Sequence, residues 1–358
     1  MSPSQHFVSQ VGIEYPIIQA PMAGVATPQL AAAVSNAGAL GSLGLGASTP
    51  AQSRQLIEQT RSLSAKPLNV NVFCHAAPLR DAAAEAAWLA HLAPLFAETG
   101  IPIPSSLAEI YHSFNDDEDT YRMLLELRPA VVSFHFGLPP RERLAALRQA
   151  GIYTMATATN LEEALLIERA GVDAIVAQGI EAGGHRGMFD PDKADERLST
   201  AVLVRLLVRK TGLPIIAAGG VMDGAGIKAA LDLGAAAAQL GTAFILCAES
   251  SAHPAYRANL RSERAAVTRL TSAISGRPAR GIYNRLMSHG EAAGCPRAPA
   301  YPLAYDVARQ LHTAAATAGN HEFAAHWAGQ GAPLAREMPA AELVRTFIDE
   351  MADAGVHR

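Results

Sequence analysis

"PIIAAGGVMDGAGIKAALDLGAAAAQLGTAF", residues 214–244, decides the fold. A short apolar run, Pro214–Ala217, ends in a pair of glycines. Asp223, a residue type suited to capping a helix, then opens an alanine-rich stretch to Leu233, and a second apolar run, Ala236–Leu240, ends at Gly241 and Thr242. Strand, glycine turn, helix and returning strand make one βα unit of a parallel sheet. The runs are apolar throughout rather than alternating, as expected of strands covered on both faces.

The same unit recurs along the chain. Apolar runs at Ile17–Ala20, Ala39–Leu43, Leu68–Val72, Ala130–Phe134, Ile152–Ala156 and Ala174–Ala177 precede the two already described, and helical stretches follow them, such as Pro28–Asn36 after Thr27 and Asn160–Ala170. Eight consecutive units at regular spacing predict an α/β protein with a closed (β/α)8 TIM barrel. Two stretches break the rhythm. Residues 76–128 carry helix-like "LRDAAAEAAWLAHLAPLFAETG" and a second helical piece near Asp117–Leu127, and residues 248–294 follow the eighth run. We read them as insertions forming a helical cap, a substrate subdomain over one end of a barrel made of residues 1–75, 129–247 and 295–358.

Bulk properties narrow the function. The chain has 358 residues, 49% of them hydrophobic, and a net charge of −4 without blocks of like charge, which excludes the basic footprint of a nucleic-acid binder. Cys74, Cys247 and Cys295 stand too far apart for a CxxC metal site or a disulfide framework, so a reducing, cytoplasmic setting is expected. The opening "MSPSQHFVSQVGIEYP" has no basic start and apolar core, and the most apolar later stretch, Gly234–Ala248, is broken by Gln239 and Thr242. The expectation is a soluble protein with no membrane partner, a monomer or homodimer.

In a (β/α)8 barrel the chemistry sits where strands end. There the sequence places "QAPMAG" (19–24), "NVNVF" with Asn69 and Asn71, "SFHFG" with His135, Gln178, Gly219–Gly220, and "QLGTAF" with Gln239, Gly241 and Thr242. Glycine turns after the seventh and eighth strands expose backbone N–H groups beside helix starts, a phosphate-binding arrangement. Asn71 and Gln178 can donate and accept toward a heteroaromatic ring, although each taken alone is equally consistent with a satisfied core amide. Met22, after Pro21, offers an apolar cover for a ring face. In "AQGIEAGGHRG" (177–187), Gly183 and Gly184 let the backbone come close to a ligand, and His185, read as a loop residue, can stabilise an anion or move a proton. Arg186 reads as a solvated or ion-paired loop residue. No second ligand lies at metal spacing near His185 or His135, so no metal is expected.

Together "PIIQAPMAG", "NVNVF", "AQGIEAGGHRG", "IIAAGGVMDG" and "QLGTAF" resemble the nitronate monooxygenases, FMN-dependent (β/α)8-barrel enzymes, from about Gly12 to Arg309. The resemblance implies FMN contacts from Met22, Asn71, Gln178, Gly183, Gly220, Gln239, Leu240, Gly241 and Thr242, with His185 as the catalytic histidine. The segment "YPLAYDVAR" is similar to the bacterial class I members, implying a substrate pocket bordered by Tyr111, Tyr256, Tyr301 and Tyr305. Arg309 stands where that pattern has lysine, keeping charge but not shape. The implied substrates are a nitronate and O2, giving a carbonyl compound and nitrite or a related nitrogen oxide. The alternatives in the same barrel group are an FMN-dependent NAD(P)H:quinone reductase and an enoyl-acyl-carrier-protein reductase.

Overall fold

A computed structural model describes residues 1–356. Ahead of the first strand stands α1 (Pro3–Val11). The barrel strands are β1 (Ile17–Gln19), β2 (Gly41–Gly44), β3 (Leu68–Phe73), β4 (Val131–His135), β5 (Tyr153–Ala158) and β6 (Ala174–Gln178); after a short β7 (Gly184–His185) outside the barrel come β8 (Ile215–Ala218) and β9 (Ala237–Leu240). The eight barrel strands pair in parallel in the order β1-β9-β8-β6-β5-β4-β3-β2. A parallel bridge between Ile18 and Leu40 closes the ring, Leu40 N–H donating to Ile17 O and Gln19 N–H to Leu40 O, each at 2.9 Å. The expected (β/α)8 barrel is therefore present.

Local signals act where they were read. α2 (Pro28–Asn36) is capped by Thr27, whose Oγ1 accepts from Leu30 N–H, and α3 (Pro50–Leu63) by Thr49. α4 (Ala82–Thr99), α5 (Glu118–Leu127), α6 (Arg141–Gln149), α7 (Leu161–Ala170) and α8 (Thr200–Lys210) follow, and Asn160 caps α7 rather than opening it. α9 (Gly224–Asp232) starts behind Asp223, whose carboxylate accepts from Gly226 N–H at 2.8 Å. Such a cap is worth about 1 kcal/mol.

The lower end of the barrel is plugged by α1, whose Phe7 and Val11 pack among residues at the strand starts, including Val131, Met155 and Ala174. Inside the barrel, Asn69 Nδ2–H donates to Ser42 Oγ and Ser42 N–H to Gln19 Oε1, so Gln19 is a satisfied core amide, while Asn69 Oδ1 is buried with no partner among the described residues.

The second insertion is not purely helical. Besides α10 (Pro254–Leu260) and α11 (Arg285–Gly290) it contributes β10 (Thr268–Thr271) and β11 (Ala279–Ile282), an antiparallel pair extended by β7. The chain ends in α12 (Leu303–Ala316) and α13 (Ala340–Val356), the latter packed on the barrel side through Leu343, Val344 and Phe347. An apolar cluster joins Trp88, Leu92 and Phe96 of α4, Leu286 and Met287 of α11, and Leu303, Val307 and Leu311 of α12. The C-terminal segment thus shares in the packing between the two insertions. Among the described residues no helix is long and apolar enough to cross a membrane.

Candidate active site

A cavity of about 950 Å³ opens where the barrel strands end, near the upper limit of the roughly 300–1,000 Å³ usual for small-molecule sites. The strand ends line it with Pro21, Met22, Asn71, His135, Gln178, Gly219, Gly220, Gln239, Gly241 and Thr242, and the next layer with Gly183, Gly184, His185, Tyr111, Tyr256, Tyr301 and Tyr305. Leu240 is the exception among the expected residues. Successive strand residues point to opposite sides, so while Gln239 faces the cavity, Leu240 is buried in the apolar cluster with Ile17 and Phe347.

His185 is not a loop residue. It lies in β7, paired with Ala279 of β11, and its neighbour Gly184 adopts φ +75°, which a side chain would strain. Two barrel side chains hold the His185 carbonyl: Gln178 Nε2–H donates to it at 2.9 Å and His135 Nε2–H at 3.1 Å. Gln178 Oε1 accepts from Gly187 N–H at 2.8 Å, so this amide clips both ends of the turn and keeps one N–H free. His135 Nδ1 lies 3.0 Å from Thr157 Oγ1 and accepts from it, leaving His135 no free nitrogen. Arg186 is buried rather than solvated, its guanidinium paired with Asp195 (Nε–Oδ2 2.8 Å) and donating to Gln178 O and Gly179 O. Removing Asp195 would strand a buried cation, a loss of about 3–5 kcal/mol.

The His185 ring is held just as closely. Ser275 Oγ–H donates to Arg277 O, so its oxygen accepts from His185 Nε2–H at 2.8 Å. His185 Nδ1 is left as a lone-pair acceptor. Around it stand Trp327 (centroids 5.2 Å), Phe136 (5.5 Å), Tyr301 (5.6 Å) and Tyr305 (6.0 Å). Burial, reinforced by His135 and Arg277, lowers the His185 pKa to about 3, and burial lowers His135 to about 4. Both imidazoles are therefore neutral at physiological pH, and His185 presents a hydrogen-bond-accepting Nδ1 rather than a fixed cation.

The tyrosines divide. Tyr256 stacks on His326 at 4.6 Å and its hydroxyl donates to Trp327 O, so it braces the wall. Tyr111 OH accepts from Arg309 Nη1 at 2.8 Å. Tyr301 OH is buried with no partner among the described residues, and burial holds it well above the usual phenol pKa; burial also pushes Tyr305 up to about 12. All four remain neutral.

Free backbone and amide groups line the same cavity. Gly220 (φ +72°), Gly241 and Thr242 have backbone N–H groups with no acceptor among the described residues. A Cβ on Gly241 would meet only Ala20 Cβ at 3.5 Å and Met22 Sδ at 3.8 Å. Asn71 Nδ2 is spent on Ser133 O and Oγ, but its Oδ1 has no partner among the described residues. Unsatisfied donors at two adjacent turns and, across the barrel mouth, a free amide oxygen lining the same cavity fit a phosphorylated heteroaromatic group. Among the described residues no group of three or more His, Cys, Asp or Glu could hold a metal ion.

Sequence reasoning missed Phe136, Ser275, Arg277 and Trp327. Trp327, one of two tryptophans, carried some signal, being a large costly side chain close to the C-terminal tyrosine segment. Ser275 and Arg277 carried none, because only the β7–β11 pairing brings them to His185.

Residues 5–350 match the family model described as "Nitronate monooxygenase". The chain is 56% identical to the nitronate monooxygenase of Pseudomonas aeruginosa, covering 97% of this chain and 99% of that protein, and 56% identical to that of Paraburkholderia phytofirmans, covering 95% and 93%. Its structure is similar to that of nitroalkane oxidase from Streptomyces ansochromogenes, with a TM-score of 0.87, 40% identity and 98% of both chains covered. With that agreement over nearly its whole length, the chain belongs to the nitronate monooxygenase family.

Proposed function

We propose that this protein is an FMN-dependent nitronate monooxygenase that oxidises alkyl nitronates such as propionate 3-nitronate. The observation that carries this reading is the neutral His185, held from both sides with Nδ1 free inside an aromatic enclosure on the cavity wall. In this reading Gly219, Gly220, Gly241 and Thr242 hold the phosphate on backbone N–H groups. Asn71 and Gln178 meet the polar edge of the ring, with Pro21, Met22, Gly183, Gly184 and Gln239 against it. FMN, when bound, supplies oxidation of the substrate and reaction with O2, the products being a carbonyl compound and nitrite or a related nitrogen oxide.

The chain's own residues do the rest. His185 Nδ1 faces the substrate as an acceptor, able to take the α-proton of a neutral nitroalkane, while Ser275 fixes the tautomer and His135 and Gln178 fix the backbone. Tyr301 and Tyr305 border the substrate and, being neutral, do not repel an anion. Trp327 and Phe136 exclude water, which strengthens every polar contact in the enclosure. We further propose that the insertions 76–128 and 248–294 act as the substrate subdomain, with α12 as part of it.

His185→Asn tests the reading. It should keep FMN while kcat/KM for nitroalkanes and nitronates falls by roughly 10²-fold, the scale of losing one acid–base group. Near wild-type turnover of propionate 3-nitronate at full flavin occupancy would reject His185.

A further inference from the structure

Three buried arginines surround the His185 strand, and they are not equivalent. Arg186 is paired with Asp195. Arg280 has no carboxylate but spends its donors on Ile180 O and on Thr268 O and Oγ1. Arg277, only 5% exposed, donates from its guanidinium to a single carbonyl, Met188 O, at 2.7 Å, and forms no ion pair among the described residues. Its Cζ lies 4.4 Å from the centroid of Phe136, and Phe136 meets the His185 ring edge-on at 5.5 Å. Phe136 itself has φ +72°, a strained conformation for a bulky residue, kept where the chain leaves β4.

A buried guanidinium without a counter-charge is costly, and such a group calls for a reason. We infer that Arg277 is the fixed positive charge that draws an anionic substrate onto His185, acting across Phe136 as a positioning residue that touches neither substrate nor flavin. The inference rests on the nitronate reading above. The groups around it agree: His75, His135 and His185 are neutral imidazoles, Tyr301 and Tyr305 are neutral phenols, and the acids it feels, Asp190, Asp192 and Glu163, form no ion pair with it. Burial lowers Arg277 itself only to about 10, so it stays charged at neutral pH. No carboxylate pairs with it directly among the described residues, so part of its potential reaches whatever anion lies beside His185, with little screening by salt.

The test uses the holoenzyme and nitrate, an unreactive planar anion shaped like a nitro group, titrated against the flavin absorbance of wild type and of Arg277→Gln, Arg277→Lys and Arg309→Gln. Arg277→Gln should weaken nitrate binding by about tenfold or more at unchanged flavin content. It should raise KM for propionate 3-nitronate but not for neutral nitroethane. Arg277→Lys should recover most of the affinity, and Arg309→Gln, which removes the exposed cation at the cavity rim, should cost less than either change in kind. Equal loss in the Gln and Lys variants would mean a merely structural role and overturn the inference. So would wild-type nitrate affinity in Arg277→Gln, or, should that variant fail to fold, abolition of nitrate binding by Arg309→Gln. Failure of nitronates to be oxidised by the wild type would instead reject the underlying reading, leaving the nitrate result to stand by itself.

Discussion

His135 acts on His185 through the backbone: its Nε2–H donates to the His185 carbonyl at 3.1 Å, while the two rings serve different purposes. One is saturated and structural, the other keeps a free nitrogen. His135→Leu should therefore retain FMN and lower kcat/KM by about fivefold, the ~1 kcal/mol scale of one neutral hydrogen bond. His135→Gln, which restores an N–H donor, should recover part of it. Steady-state kinetics decide, and wild-type values for the Leu variant would refute the backbone role.

Tyr301 carries a buried hydroxyl without a partner among the described residues. Removing an unsatisfied polar atom costs little, so Tyr301→Phe should melt within about 0.5 kcal/mol of wild type or higher. If the hydroxyl meets substrate, KM for nitronates should still rise several-fold. Thermal melts and kinetics on the same preparation separate the two, and a clear loss of stability would show a hidden structural partner.

Gly220 has φ +72°, and a Cβ there would sit 3.1 Å from Glu181 Cβ. Gly220→Ala should displace the turn and reduce co-purified FMN well below that of Gly241→Ala, whose added methyl meets only ordinary contacts. Flavin-to-protein absorbance ratios check this; equal, full occupancy in both variants would remove the phosphate from these turns.

Acid should destabilise the fold in a defined window. Burial is the main cause that lowers His75 and His135 to about 4 and His185 and His326 to about 3, all from 6.5. The unfolded chain thus binds protons that the folded chain refuses. The stabilisation is complete above about pH 6.5 and is lost as pH falls toward the folded values, at up to about 1.4 kcal/mol per pH unit for each histidine. Melting temperature should drop between pH 6.5 and 4.5, less steeply in His185→Asn. A flat profile would mean that these rings are protonated in the native state.

The sequence alone determined the barrel and which polar residues stand at its strand ends. Apolar runs and capping residues such as Thr27 and Asp223 act over a few positions, and a strand's end marks where its last side chains must emerge, so Asn71, Gln178, Gly220 and His135 were legible as one site. The Leu240 side chain lies in the core rather than the cavity because the pleat turns it there, which a motif recording neighbours along the chain does not show. What only tertiary structure decided is the state of His185. Its tautomer is set by Ser275, 90 residues away, its neutrality by burial, and its surroundings by Arg277, Tyr301 and Trp327. Proton affinity depends on the dielectric and charges within a few ångströms, and those neighbours are assembled only when β11 pairs with β7 beside the barrel mouth.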